Sequence, residues 1–262
     1  MLTARNIVVI GGTTGLGLSA AKAFIAQGAQ VLVTGRSLDS CNKAQEALGS
    51  RGIAVSLDAT EEGSTEEAIK QCRQQWGPWN GLYHVAGGSG RKYGDGPLHQ
   101  MSIEGWEATF NLNLTSMMLS NKAAINAFID QGEGGAILNM GSVLGFSPSP
   151  KFFATHAYAA TKSAIIGFSR SVAAYYADQN IRVNVVAPAL VETPMAQRAA
   201  KDQLIQSFIK TKQPLDGGRI GTPEDLDGVA TLLMSDQARF ITGQVIAVDG
   251  GWSLSEGQFE DK

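Results

Sequence analysis

Tyr158 and Lys162 stand four residues apart in the stretch Tyr158-Ala159-Ala160-Thr161-Lys162. On a helix this spacing stacks the two side chains one turn apart on the same face. A phenol with its ordinary pKa of about 10 is a poor acid or base near neutrality. A nearby ammonium favours the phenolate and draws that pKa toward the working range. The pair is therefore a candidate proton-transfer device. Chance also produces the spacing, so the rest of the chain has to support it.

A glycine turn is the second chemical feature. Residues 7–10 are an apolar run, Gly11-Gly12-Thr13-Thr14-Gly15-Leu16-Gly17 follows, and a helical pattern begins there. A helix N-terminus offers free N–H donors and a positive dipole end, and glycines let a pyrophosphate approach the backbone. Gly11, Thr14, Gly15, Leu16 and Gly17 are the cofactor-binding candidates. A tight turn that binds nothing is the alternative. Roughly twenty residues further on, an acidic side chain would accept from an adenosine ribose 2′-hydroxyl. The chain has Thr34-Gly35-Arg36-Ser37 there. Arg36 suits a 2′-phosphate and Ser37 adds a hydroxyl donor, so NADP(H) is favoured and NAD(H) stays open. A solvated Arg36 is the alternative. Asp58 follows the next apolar run and either contacts an adenine edge or caps the following segment.

These groups need a frame. Apolar, β-branched runs at 7–10, 30–34, 53–57, 81–85, 136–140, 182–187 and Val245–Val248 read as strands covered on both faces. Helical patterns lie between them at 16–27, 38–48, 64–76, 103–129, 158–178 and 223–235, the last opened by Thr222 as N-cap and Pro223 at the first helical position. The alternation predicts an α/β protein: a doubly wound, Rossmann-type parallel sheet of about seven strands with helices on both faces. Residues 87–98 and 143–156 read as loops, and 192–221 as a partly helical excursion. With no linker or repeat in view, residues 1–262 are expected to form one domain. Residues 1–100 would mainly bind cofactor, and 101–262 would carry the catalytic and substrate groups.

Composition narrows the partners. The chain has 262 residues, 44% of them hydrophobic, and a net charge of −3 without a Lys/Arg run. That balance argues against nucleic acid or an anionic membrane surface as partner. No apolar run reaches the length of a membrane span, and the first strand starts too early to leave room for a signal peptide. Cys41 and Cys72 are the two cysteines. They read as plain helix residues in a reducing cytoplasm rather than a disulfide framework.

The order and spacing of these features resemble the short-chain dehydrogenase/reductase family, over nearly the whole chain. Gly11, Gly15 and Gly17 match its cofactor turn, and Ala86-Gly87 match the end of the motif after its fourth strand. Asn113, following Trp106, resembles its active-site asparagine, and Ser142 its catalytic serine. Tyr158 and Lys162 match its Tyr-x-x-x-Lys. Arg182-Val183-Asn184, Pro188 and the Val191-x-Thr193 pair match its segment near the nicotinamide, and Gly243 with Asp249-Gly250-Gly251 its C-terminal strand. The resemblance implies a small-molecule ketone or secondary alcohol as substrate, Tyr158 as acid/base, and ribose binding added to the role of Lys162. It also implies that Asn113 holds a water linking Lys162 to solvent. Ser142 would hydrogen-bond the substrate oxygen as charge develops there. A dinucleotide-sensing protein without turnover is the rival reading. Four positions depart from the family pattern: Ile10, the His84-Val85 pair, Gly141 and Ala189. The stretch between Ser142 and Tyr158 is also longer than common.

The patterns at 103–129 and 158–178 are apolar beyond one stripe, including Met117, Met118, Ala123, Ala124, Ala164, Ile165, Ala173 and Tyr175. With the resemblance, this predicts a homotetramer or homodimer. His156 reads as a cap-like or exposed residue, and His84 as a satisfied, partly buried histidine. Arg91 and Lys92 would either attract an anionic substrate or be solvated. Phe146, Phe152 and Phe153 would line an apolar pocket or pack within their loop.

Overall fold

The computed structural model describes residues 1–257. Seven strands form one sheet: β1 (Asn6–Ile10), β2 (Gln30–Gly35), β3 (Gly52–Ser56), β4 (Gly81–His84), β5 (Gly135–Met140), β6 (Ile181–Pro188) and β7 (Val245–Val248). All neighbours pair in parallel, in the order β3-β2-β1-β4-β5-β6-β7. Strand bounds fall within a residue of the sequence reading. Helices α1 (Gly15–Ala26), α2 (Leu38–Leu48), α3 (Ser64–Trp76), α4 (Ile103–Phe110), α5 (Ser116–Gln131), α6 (His156–Tyr176), α7 (Gln197–Lys201), α8 (Gln203–Lys212) and α9 (Asp227–Met234) surround it.

The central strands are apolar throughout because each face meets helices. Val9, Val31, Val33 and Leu138 point to the side of Phe24 and Met234, where α1 and α9 pack. Their alternates Val8, Leu32, Leu82 and Ile137 face α3 and α5, where Trp79 and Phe128 stack at 4.3 Å between centroids. The chain winds outward from β1 to β3, then returns to place β4 on the other side of β1. The crevice at the carboxyl ends of β1 and β4 is the switch point where such sheets bind ligands.

Two helix expectations need correction. The pattern at 103–129 is two helices, α4 and α5, joined by one π turn over Asn111–Thr115. The helix expected at 223–235 starts as a 3-10 turn, Pro223–Leu226, before α9. Thr222 stands at its N-cap position, and the Asp225 carboxylate accepts from the Thr222 N–H at 2.7 Å. Of the eight residues singled out for an oligomer face, Met117, Ala123, Ala124, Ile165 and Ala173 are buried in the monomer core. Met118 and Tyr175 remain exposed. These faces are apolar because helices and strand β6 sandwich them. No helix among the described residues is long and apolar enough to cross a membrane.

Candidate active site

A cavity of about 750 Å³ opens along the switch point. It is lined by Gly11, Thr14, Gly15, Leu16, Arg36, Ser37, Asp58, Ala86, Gly87, Ser142, Tyr158, Lys162, Pro188, Val191 and Thr193. Of the residues expected to act in catalysis or bind cofactor, Gly17 and Asn113 do not line it.

The turn after β1 is built for close backbone approach. Gly11 has φ +82°, and a Cβ there would lie 2.6 Å from the Ala86 nitrogen. A Cβ on Gly17 would lie 2.3 Å from the Gly11 carbonyl oxygen, so its absence lets α1 sit directly against the turn. No acidic side chain occupies the first turn of α1. Its N–H groups and dipole are left for an external anion.

At the end of β2, Arg36 is exposed on the cavity wall and has no carboxylate partner among the described residues. Ser37 caps α2, its Oγ accepting from the Ser40 N–H at 3.4 Å. The Ser40 hydroxyl donates to Thr13 Oγ1 at 3.2 Å, tying α2 to the glycine turn. Asp58 Oδ1 accepts from the Thr60 N–H and hydroxyl at 2.9 and 2.8 Å. Asp58 thus organises its own turn while lining the cavity. Lys92, Arg36 and the Tyr93 phenol form a cationic corner, and the two cations hold that phenol below its usual range.

Ser142 follows β5, and Tyr158 and Lys162 lie on the first turns of α6. Lys162 Nζ donates to the Met140 carbonyl at 2.8 Å and stands 5.4 Å from the centre of the Tyr158 ring. Burial lowers the lysine to about 7. Burial also pushes the Tyr158 phenol up to about 12, and the Ser142 hydroxyl beside it pulls partly back. The expected lowering by Lys162 is not among the influences on the phenol in this fold, where burial dominates. At neutral pH Tyr158 holds its proton, the state a proton donor needs.

Asn113 is fully buried in the π turn. Its Oδ1 accepts from the Gly88 N–H at 3.0 Å, and its Nδ2 donates to the Gly88 and Thr109 carbonyls, both at 2.9 Å. The side chain is a strap on the Gly-rich loop. His84 is wholly buried rather than partly: Nδ1 meets the Ser120 hydroxyl at 2.8 Å, and Nε2 has no hydrogen-bond partner among the described residues. Burial first, then the Lys162 charge, lowers it to about 3, so it is neutral. His156 is exposed at the start of α6. Cys41 and Cys72 are buried helix residues whose thiols burial pushes up, Cys72 to about 12.

Asp95 went unnoticed in the sequence. It is buried, and its two oxygens accept from the Ala157 and Tyr158 N–H groups at 3.0 and 2.9 Å. Thr155, at the N-cap position of α6, makes no side-chain cap. Asp95 does that work from 62 residues away, and its charge suits the helix N-terminus. No local pattern marks it, although Gly94-Asp95-Gly96 is a turn-like triplet. Asp95→Ala is expected to lower stability by about 1–2 kcal/mol in urea unfolding, and Asp95→Asn, which keeps one acceptor, by less.

The far end of the cavity is apolar. The Trp252 indole donates to the Ser147 carbonyl at 3.2 Å and anchors the long loop after β5. Phe153 packs edge-on against Trp252 and lines the cavity. Phe152 instead packs against Phe208, and Phe146 is exposed. Asp249 accepts from the Gly251 and Ser253 N–H groups, which fixes the turn that presents Trp252. Gln213, also missed, is buried and staples both backbone groups of Leu190. Gly141, one of the four departures, has a steric cause: a Cβ there would meet Val185 Cγ1 at 2.7 Å.

A family model described as enoyl-(acyl carrier protein) reductase matches residues 11–253. An inactive 2-(S)-hydroxypropyl-CoM dehydrogenase of Xanthobacter autotrophicus is 35% identical, covering 88% of this chain and 98% of that protein. A 3-oxoacyl-(acyl-carrier-protein) reductase of Chlamydia trachomatis is 34% identical over 96% and 98%. Among solved structures, a 3-ketoacyl-(acyl-carrier-protein) reductase of Brucella melitensis complexed with NADH superposes with a TM-score of 0.85 at 25% identity. It covers 97% of this chain and 100% of that one.

Proposed function

The chain belongs to the short-chain dehydrogenase/reductase family, and from that premise we propose that it passes hydride between NADP(H) and a ketone or secondary alcohol. The observation that carries this reading is the meeting of Ser142, Tyr158 and Lys162 in the same cavity as the glycine turn. The cradle fits a dinucleotide: a turn too tight for side chains, unspent N–H donors at α1 and an Arg36 without a carboxylate partner among the described residues. The nicotinamide, when bound, supplies or takes up the hydride. Tyr158 donates a proton to the substrate oxygen in reduction and removes it in oxidation. Ser142 donates a hydrogen bond to that oxygen as negative charge grows on it. Lys162, when protonated, would bring positive charge near the phenol and would bind ribose hydroxyls. Asn113 fixes Gly88 and so shapes the wall beside Lys162.

Preference for NADP(H) over NAD(H) rests on Arg36 and Ser37 standing where an acid would be needed for an unphosphorylated ribose. Arg36→Ala is expected to weaken NADPH binding by about tenfold or more and leave NADH within about twofold, measured by fluorescence titration. Equal binding of both cofactors to the wild type would sink the assignment of Arg36.

A dinucleotide-binding protein without turnover has one observation behind it, the inactive name of the Xanthobacter relative. Single-turnover oxidation of NADPH against a panel of carbonyls decides between the two. Pairing of copies through the faces that expose Trp106, Met118 and Tyr175, and a cytoplasmic location, complete the reading.

A further inference from the structure

We infer that Arg91 and Arg198 form an oxyanion-recognition pair at the rim of the substrate end, so that the preferred substrate is a carbonyl or alcohol carrying a negatively charged group, of which a carboxylate is the smallest. This rests on the reductase reading of the cavity.

The two arginines come from different elements that meet at the cavity. Arg91 lies on the 3-10 turn Gly90–Tyr93 of the Gly-rich loop, and Arg198 on α7. Both line the cavity. Both donate to one backbone oxygen, the Phe152 carbonyl, at 3.2 and 3.5 Å. A single neutral oxygen therefore gathers two guanidiniums that would otherwise separate into solvent.

Among the described residues neither arginine has an ion-pair partner. Burial lowers the pKa of Arg91, and the charge of Arg198 lowers it further. Asp95 is the one carboxylate acting in the opposite direction, and both its oxygens are committed to α6. A guanidinium carries five N–H donors in a fixed fork, so most of the donors here are left over. Two unpaired forks facing one opening suit an oxyanion, which would accept from both and relieve their repulsion.

The same cavity carries an apolar group of side chains, Leu144, Phe153, Leu190, Ala199 and Trp252, which cluster together. It would take a short hydrocarbon body between the reacting carbonyl and the charged end. Lys92, on the same loop, faces the Arg36 corner instead and is not part of the pair.

The test compares oxo-carboxylic acids of increasing chain length with their own methyl esters, using NADPH at low ionic strength. Wild-type protein is expected to favour the acid over the ester by about tenfold or more in kcat/KM, mainly through KM. In the double variant Arg91→Gln, Arg198→Gln that ratio should fall to within about threefold of unity, and Arg→Lys at both positions should restore part of it. A wild-type ratio near one, or a ratio that survives the double substitution, overturns the proposal. If no carbonyl is reduced at all, the reductase reading fails. The pair is then judged separately by calorimetric titration with propane-1-sulfonate. Saturable binding that the double variant loses supports it, and absent or unaltered binding refutes it.

Discussion

Tyr158→Phe is expected to lower kcat for carbonyl reduction by about a thousandfold while cofactor affinity stays within about threefold. The substitution removes one oxygen and leaves the ring on α6. A general acid typically contributes a factor of about 100 to 10,000, and here no other group lining the reacting end can replace it. Ser142 lies beside the phenol but its hydroxyl is far too weak an acid. Lys162 points its ammonium at the Met140 carbonyl. The direction of the pH dependence follows from the raised phenol. Reduction needs the protonated form, which persists up to about 12, so the reductive rate should stay flat through the neutral range. Alcohol oxidation needs the phenolate and should climb with pH. Stopped-flow single turnovers in both directions check this. Retention of a tenth or more of the reductive rate in Tyr158→Phe would remove Tyr158 from the mechanism.

Lys162→Met is expected to make the protein more stable and nearly inactive. A buried cation with one carbonyl partner is costly, and Lys162 is 3% exposed. Its pKa in the fold is about 7 against 10.5 for the free side chain. Between those values the unfolded chain binds more protons than the native one, so this residue makes stability rise with pH across that window. Below about 7 the full penalty applies. Methionine fills similar space without charge, so the variant should gain on the order of a few kcal/mol at pH 6, less the roughly 1 kcal/mol lost with the Met140 bond. The gain should shrink toward zero as pH approaches 10.5. Thermal melts at several pH values read this directly. A variant no more stable than wild type at pH 6 would show that water in the cavity already relieves the charge. Turnover should fall by about a hundredfold or more, the stability–activity exchange expected of a strained site.

The sheet and glycine turn were legible because their signals are local. Strands covered on both faces leave unbroken apolar runs, and the turn needs glycines at fixed places. The π turn over Asn111–Thr115 left no such trace. A shift of hydrogen bonding from i−4 to i−5 requires no particular residue, and Asn111-Leu112-Asn113-Leu114-Thr115 reads like ordinary helix. Asp95 escaped for a different reason: its partners lie far along the chain, and a cap that reaches across the fold has no sequence period. The Tyr158–Lys162 spacing was legible as a pair of neighbours, whereas the burial that dominates the phenol was not. Spacing reports separation, while desolvation depends on everything packed around. The arginine pair, 107 positions apart, shares this property, since only the fold brings both to the Phe152 carbonyl.

The Asp95 cap has a kinetic meaning as well. The Ala157 and Tyr158 amides are latched by a carboxylate on the Gly-rich loop, so neither can exchange its hydrogen with solvent until that loop lets go. Ordinary helix ends fray from within. This one opens only when a segment remote in sequence moves away. The rim of the pocket and the first turn of the acid/base helix are thus one cooperative unit, and every local opening that widens the mouth also loosens the backbone beneath Tyr158.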